Sequence, residues 1–180
     1  MDKIKIKDKE FEKYLSQQEV ETAIDKIAEK MTSDLSDSNP LFVAILNGSF
    51  MFVAELMKRV NIPSELTFVK VSSYSGVNTT GNVKEVFGLT HNIENRTVVV
   101  LEDIVDTGNT IEHIINELKK KNPKEVKVAT LLFKPEAMQK DTHPDYVALE
   151  IPNDFIVGYG LDYDGYGRNL PDIYKVSSYK

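Results

Sequence analysis

The chain reads as an α/β fold: one domain built on a mostly parallel, twisted sheet flanked by helices. Three observations predict it. Short apolar runs alternate with amphipathic segments along the chain, the 180 residues fit a single domain, and a 41% apolar content is enough for one sizeable core. No internal repeat, low-complexity tract or Pro/Gly-rich linker divides the sequence, so residues 1–180 are expected to form one unit.

Ser16-Gln17-Gln18-Glu19 has the spacing of a capping box, and Val20, Ala23, Ile24, Ile27, Ala28 and Met31 recur at three- and four-residue intervals after it. A helix is predicted over 17–34. Buried strands are predicted over 41–46, 66–71, 97–101, 126–133 and 146–150, where apolar residues run together between turn signals. Helices over 50–60 and 110–121 separate several of them. The first sets Glu55, Lys58 and Arg59 among apolar positions, and the second puts Ile111, Ile114, Ile115 and Leu118 on one face. Residues 72–84, SSYSGVNTTGNVK, are small and polar and predict a mobile loop or hairpin.

Composition excludes several functions. Lys plus Arg is 22 against 28 for Asp plus Glu, and the net charge of −6 repels a polyanion, so no nucleic-acid partner is expected. With no cysteine there is no disulfide framework, thiolate-zinc site or thiol nucleophile, and the composition suits a reducing compartment. The longest apolar run, 41–46, is far below the roughly 20 residues that cross a bilayer. The N-terminus lacks the apolar core of a secretory signal. The expected setting is cytoplasmic, with no membrane partner.

Open parallel sheets bind ligands beyond the carboxyl ends of their strands. The segment VVVLEDIVDTGNT, 98–110, falls there. Thr107, Gly108, Asn109 and Thr110 offer hydroxyls, an amide and backbone N–H groups at a predicted helix start, which suits a phosphate. Glu102 and Asp103 at the mouth of the loop would repel that phosphate unless a hard cation such as Mg²⁺ lay between. A phosphorylated sugar with a metal satisfies all of these groups. The DTGNT fragment alone reads equally well as a helix cap formed by Asp106 or Asn109.

VVVLEDIVDTGNT resembles the phosphoribosyl-pyrophosphate signature of type I phosphoribosyltransferases, and its flanks resemble the 6-oxopurine branch, the hypoxanthine-guanine phosphoribosyltransferases. The resemblance spans roughly residues 10–176 and rests on five separated motifs. It implies a small hood built from the chain termini and a flexible loop over the active site. It also implies a dimer or tetramer that takes phosphoribosyl pyrophosphate and a 6-oxopurine, with Mg²⁺ as cofactor.

By this resemblance Glu102 and Asp103 face the ribose hydroxyls and a Mg²⁺, with Ile104 beside them in the substrate site. Asp106 lies near N7 of the purine as general base, and Thr107, Gly108, Asn109 and Thr110 hold the 5′-phosphate. Relatives often carry Lys where Asn109 stands, so this loop would bind phosphate with less charge. Leu46, Asn47 and Gly48 match the pyrophosphate loop, with a cis peptide expected at Leu46-Asn47. Asn47 replaces a customary basic residue, and Asn-Gly read blindly is a turn. Ser73-Tyr74 matches the pair that opens the covering loop, which would exclude water while the ribose gains oxocarbenium character. Lys134 would donate to the purine O6. In EIPNDFIVGYGLDYDGYGRNLP, 150–171, Phe155 would stack on the base, and Ile156 and Asp162 would read its edge. Asp162 would also place a Mg²⁺ on pyrophosphate, and Arg168 would pair with that leaving group.

Rival readings are weaker. A catalytically silent sensor of the sugar donor would not need Lys134, Phe155 and Asp162 together. Residues 76–82 have P-loop glycine spacing, but Asn82 stands where Lys is required. The GYG at 158–160 lacks the third glycine of a dinucleotide fingerprint. His91, His113 and His143 have no close ligand partner in sequence, which argues against zinc. The choice among hypoxanthine, guanine and xanthine is left open by the sequence.

Overall fold

Strands that are apolar on both faces require cover on both sides. A computed structural model, which describes residues 3–74 and 83–177, supplies it. The chain runs β1 (Lys3–Ile6), β2 (Lys9–Leu15), α1 (Gln17–Asp34), β3 (Leu41–Leu46), α2 (Phe50–Met57), β4 (Glu65–Tyr74) and β5 (Val83–Phe87). It continues through β6 (Thr97–Val105), α3 (Asn109–Lys119), β7 (Glu125–Phe133), β8 (Tyr146–Glu150), β9 (Ile156–Val157) and β10 (Ile173–Val176).

The main sheet has the order β5-β4-β3-β6-β7-β8, parallel throughout except for β5 at one edge. Successive side chains of a strand point to opposite faces. Phe42, Ala44, Val99 and Leu101 therefore join α1 and α2 in one core layer, while Val43, Ile45, Val98 and Val100 join α3 in the other. Each buried branched side chain contributes about 1.5–3 kcal/mol over leaving it in water. A one-residue slip would exchange the layers, so register is fixed.

The capping box forms as expected: the Ser16 side chain accepts from the Glu19 amide, and Glu19 accepts from the Ser16 amide at 2.8 Å. Other boundaries moved. α2 stops at Met57 rather than 60; beyond it the Arg59 amide makes the tighter i→i−3 bond to the Leu56 carbonyl, which the Val60 amide shares. β6 runs four residues past 101, kept extended by pairing of Glu102 with Thr130 and Ile104 with Leu132 on β7. Glu102 and Asp103 are therefore strand residues, not loop residues. β4 also continues through Ser73 and Tyr74, which pair antiparallel with Lys84 and Val83. The hairpin alternative is thus correct for its arms, while residues 75–82, at the centre of the expected mobile loop and holding the P-loop-like glycines, lie outside the described residues.

A second, antiparallel sheet of order β1-β2-β10-β9 joins the two ends of the chain. This is the hood that the resemblance implied. Phe11, Val157 and Tyr174 form its core, with Phe155, Tyr163 and Leu170 packed against them. Among the described residues no helix is long and apolar enough to cross a membrane.

Candidate active site

Two clusters gather beyond the carboxyl ends of the central strands. The first is built by β6, β7 and α3. Asp106 leaves the end of β6 and Lys134 leaves the end of β7, and the Lys134 amide donates to the Val105 carbonyl at 3.0 Å. That backbone bond brings the Lys134 ammonium 3.1 Å from Asp106 Oδ2. Lys134 is buried, while the Asp106 side chain is 44% exposed. A cavity of about 240 Å³ adjoins them, lined by Glu102, Ile104, Asp106, Thr107, Gly108 and Thr110.

The helix-cap alternative is overturned here. α3 starts after Gly108, whose φ of 84° is left-handed, and no side chain caps it. Asn109 is exposed and turns its amide to the Thr107 hydroxyl at 3.1 Å. A helix that begins without a side-chain cap offers its first-turn amides to an anion.

The second cluster is built by close backbone approach. The Leu46-Asn47 peptide is cis, as expected. A side-chain carbon on Gly48 would fall 1.6 Å from Asp103 Oδ2, and one on Gly160 would fall 2.1 Å from the Gly48 carbonyl. Asp103, Gly48 and Gly160 are stacked with no room for a methyl group. Arg168 secures the outer layer, donating to the Gly160 carbonyl at 2.8 Å and pairing with Asp162 at 2.7 Å. Asp162 also accepts from the Gly165 amide at 2.6 Å. Desolvation pushes the Asp103 carboxyl up to about 6, although backbone amides and Arg168 pull it down.

Phe155 is only partly buried, tilted 6.2 Å from Phe11 and edge-on to Tyr163 at 5.7 Å. It sits in the hood's aromatic cluster one residue before Ile156, which is buried in β9. Ser73 and Tyr74 end β4. The structure thus brings Glu102, Ile104, Asp106, Thr107, Gly108 and Thr110 to one cavity, with Lys134 paired to Asp106 beside it. It joins Gly48, Asp103, Asp162 and Arg168 in another contact chain, with Leu46 and Asn47 leading into it.

The acidic groups fit a magnesium ion of a particular kind. Among the described residues no three His, Asp or Glu side chains converge to hold a bare metal. Buried Glu102 in one cluster and a desolvated Asp103 in the other instead suit an ion that arrives with phosphate oxygens, which is how Mg²⁺ is commonly bound. Asp162 reaches such an ion only by sharing or leaving its pair with Arg168.

Sequence reasoning missed Gly160, met only as part of a failed dinucleotide fingerprint. The signal was a glycine between apolar residues, which often marks a positive φ; its φ is 100°. It also missed Met138 and Lys140, which lie over Gly108. Nothing in the local sequence marks them.

Residues 10–164 match the phosphoribosyl transferase domain family. The hypoxanthine-guanine phosphoribosyltransferase of Streptococcus thermophilus is 42% identical over 168 residues, covering 92% of this chain and 93% of the relative. That of Streptococcus mutans is 43% identical over 159 residues, 88% of each chain. A crystal structure of a hypoxanthine phosphoribosyltransferase from Staphylococcus aureus superposes with a TM-score of 0.85 at 34% identity, covering 92% of this chain and 90% of that one. A hypoxanthine-guanine phosphoribosyltransferase from Bacillus anthracis gives 0.84 at 32% identity, covering 92% and 98%. Sequence likeness over nine-tenths of the chain and a shared fold with its hood lead to one conclusion: the chain belongs to the phosphoribosyltransferase family, on its hypoxanthine-guanine branch.

Proposed function

We propose that this chain transfers the 5-phosphoribosyl group of phosphoribosyl pyrophosphate to N9 of a 6-oxopurine, hypoxanthine and also guanine, releasing pyrophosphate and a purine nucleoside 5′-monophosphate. The observation that carries the base assignment is the Lys134–Asp106 pair at 3.1 Å. A 6-oxopurine presents a carbonyl acceptor, O6, beside a donor, N7–H. An ammonium beside a carboxylate at the floor of a partly open site matches that edge atom for atom, and the two charges are already held in place by backbone pairing between β6 and β7.

In this reading Lys134 donates to O6 and Asp106 takes the N7 proton as N9 forms its bond to C1 of the ribose. The C1–O bond to pyrophosphate breaks with its electron pair leaving on oxygen, and the sugar carbon inverts. No protein nucleophile is needed. Orientation of two bound substrates supplies on the order of 7–11 kcal/mol, and a positioned base about 10²- to 10⁴-fold.

Residues 107–110 hold the 5′-phosphate, and Ile104 lies against the sugar. Leu46, Asn47 and Gly48 present backbone groups to pyrophosphate, with Arg168 as the cationic partner. Phe155 stacks on the base, and Ile156 and Asp162 read its 2-position edge. Ser73 and Tyr74 keep the water-excluding role that the resemblance gives them. Glu102, Asp103 and Asp162 would hold Mg²⁺, which supplies charge neutralisation on the leaving pyrophosphate. A homodimer or homotetramer in the cytoplasm belongs to the same reading, and the lack of cysteine suits a reducing compartment.

The test is an assay offering hypoxanthine, guanine and xanthine in competition, with phosphoribosyl pyrophosphate and Mg²⁺, followed by pyrophosphate release and nucleotide identity. Hypoxanthine and guanine should be consumed. No pyrophosphate release with any of the three bases would sink the proposal.

A further inference from the structure

Resting on the reading that residues 107–110 hold the 5′-phosphate, we propose that Lys140 is the cation of that phosphate subsite, delivered from the segment after β7 and not from the loop itself.

The loop Thr107-Gly108-Asn109-Thr110 carries no positive charge, yet a phosphate monoester brings roughly −1.5 to −2 at neutral pH. Two carboxylates worsen the balance: Asp106 precedes the loop and Glu112 lies in the first turn of α3. Each is met by its own lysine. Lys134 meets Asp106 and is committed to the purine side. Lys140 meets Glu112, with Nζ 2.8 Å from Oε2, which places its ammonium at the first turn of the helix.

The segment that carries Lys140 is fitted to the loop. The Gln139 amide donates to the Thr107 carbonyl at 3.1 Å. A side-chain carbon on Gly108 would fall 2.7 Å from the Met138 methyl and 3.1 Å from the Lys140 Cβ. The backbone at Thr107 and Gly108 is thereby fitted against the root of the lysine, while its head stays adjustable, 32% exposed on a flexible stem. An exposed lysine–glutamate pair is weakly held, whereas an ammonium–phosphate contact is charge-assisted. Lys140 therefore exchanges Glu112 for the phosphate when the donor arrives. Its contribution is to binding of the sugar phosphate, with no part in the bond-making step.

Steady-state kinetics with phosphoribosyl pyrophosphate and hypoxanthine test this on four variants of the full chain. Lys140→Ala should raise the donor KM on the order of tenfold, the cost of one hydrogen bond to a charged group, while kcat and the purine KM hold. Lys140→Arg should keep most of the affinity, and Asn109→Lys added to Lys140→Ala should restore it. Glu112→Gln should lower the donor KM, because it frees the lysine and removes a repelling charge. An ordinary surface ion pair gives the opposite pattern: both single variants shift the donor KM in the same direction or leave it alone, and either result overturns the proposal. If Lys140→Ala does not fold, the sign of the Glu112→Gln effect decides alone. Absence of turnover in the unaltered chain would fail the phosphate reading itself; turnover with an unmoved donor KM in Lys140→Ala would fail only the lysine.

Discussion

The two clusters of the site are held by different physics. At the ends of β6 and β7, Asp106 and Lys134 are set opposite each other by parallel strand pairing, and what they present is charge. At the Gly48–Gly160 contact, two glycines let backbone from distant parts of the chain approach within a distance that no side chain tolerates, and what they present is shape. Charge at a strand end tolerates small changes of packing but not a change of chemistry. Stacked backbone tolerates a change of neighbouring chemistry but not one extra carbon.

That contrast predicts its own largest effect. Asp106→Asn keeps the size of the side chain and removes only the proton acceptor, so kcat should fall about 10²- to 10⁴-fold while the donor KM barely moves. Stopped-flow or steady-state turnover with hypoxanthine decides it. An unchanged kcat removes Asp106 from the base role and leaves the first cluster with binding alone.

The same contrast explains what was legible in the sequence. VVVLEDIVDTGNT announces itself because an apolar strand that ends in acids is not something packing asks for, and most of the cluster it predicts lines one cavity, while Asp103 turns to Gly48 in the other cluster. Lys134 was assigned by the resemblance, since a lysine at a strand end is by itself an ordinary surface charge. The stacked glycines were not legible. Gly48 and Gly160 are 112 residues apart, and no local pattern states that their backbones touch. The hood strands β1, β2 and β10 were missed residue by residue for a related reason: they are short and their partners lie at the other end of the chain. β6 was cut short because acids are poor strand formers in isolation, and pairing with β7 overrides that preference.

Gly48→Ala should break the second cluster by shape alone. Its methyl group would collide with Asp103 Oδ2, so the loop or the carboxylate must move by an ångström or more. A displacement of that size costs on the order of 10²-fold in rate, here with a higher KM for the donor and an unaltered one for the purine. Equal losses for both substrates would show that the collision spreads into the first cluster, and the separation drawn above would fail.

Asp103 sharpens the comparison because it belongs to both regions, lying on β6 with Gly48 stacked on it. Burial has raised its carboxyl from 3.8 to about 6. A group harder to ionise in the fold than in the unfolded chain takes stability away once it ionises. Its favourable term is present in full below about pH 4 and is lost as pH rises through about 6. Asp103→Asn should therefore melt higher than the unaltered chain at pH 8, by about 1–3 kcal/mol, with the gain shrinking toward pH 4, even as donor turnover drops. A gain that is flat across that range would assign the effect to packing and not to the charge.

The smallest effect concerns what anchors the stacked glycines. Tyr159 stands between Gly158 and Gly160 and drives its ring into the core against α1 and α2, fully buried. Its hydroxyl has no hydrogen-bond partner among the described residues, and burial raises its pKa further, with Glu55 and Glu21 adding to the rise. A buried hydroxyl without a partner is a cost, so Tyr159→Phe should be neutral or stabilising by up to about 1 kcal/mol, with kinetics unchanged. Tyr159→Ala, which empties the ring's place, should cost about 3–5 kcal/mol and loosen the Gly160 contact, raising the donor KM. If the Phe variant lost activity instead, the hydroxyl and not the ring would be what positions Gly160, and the second cluster would rest on polar chemistry after all.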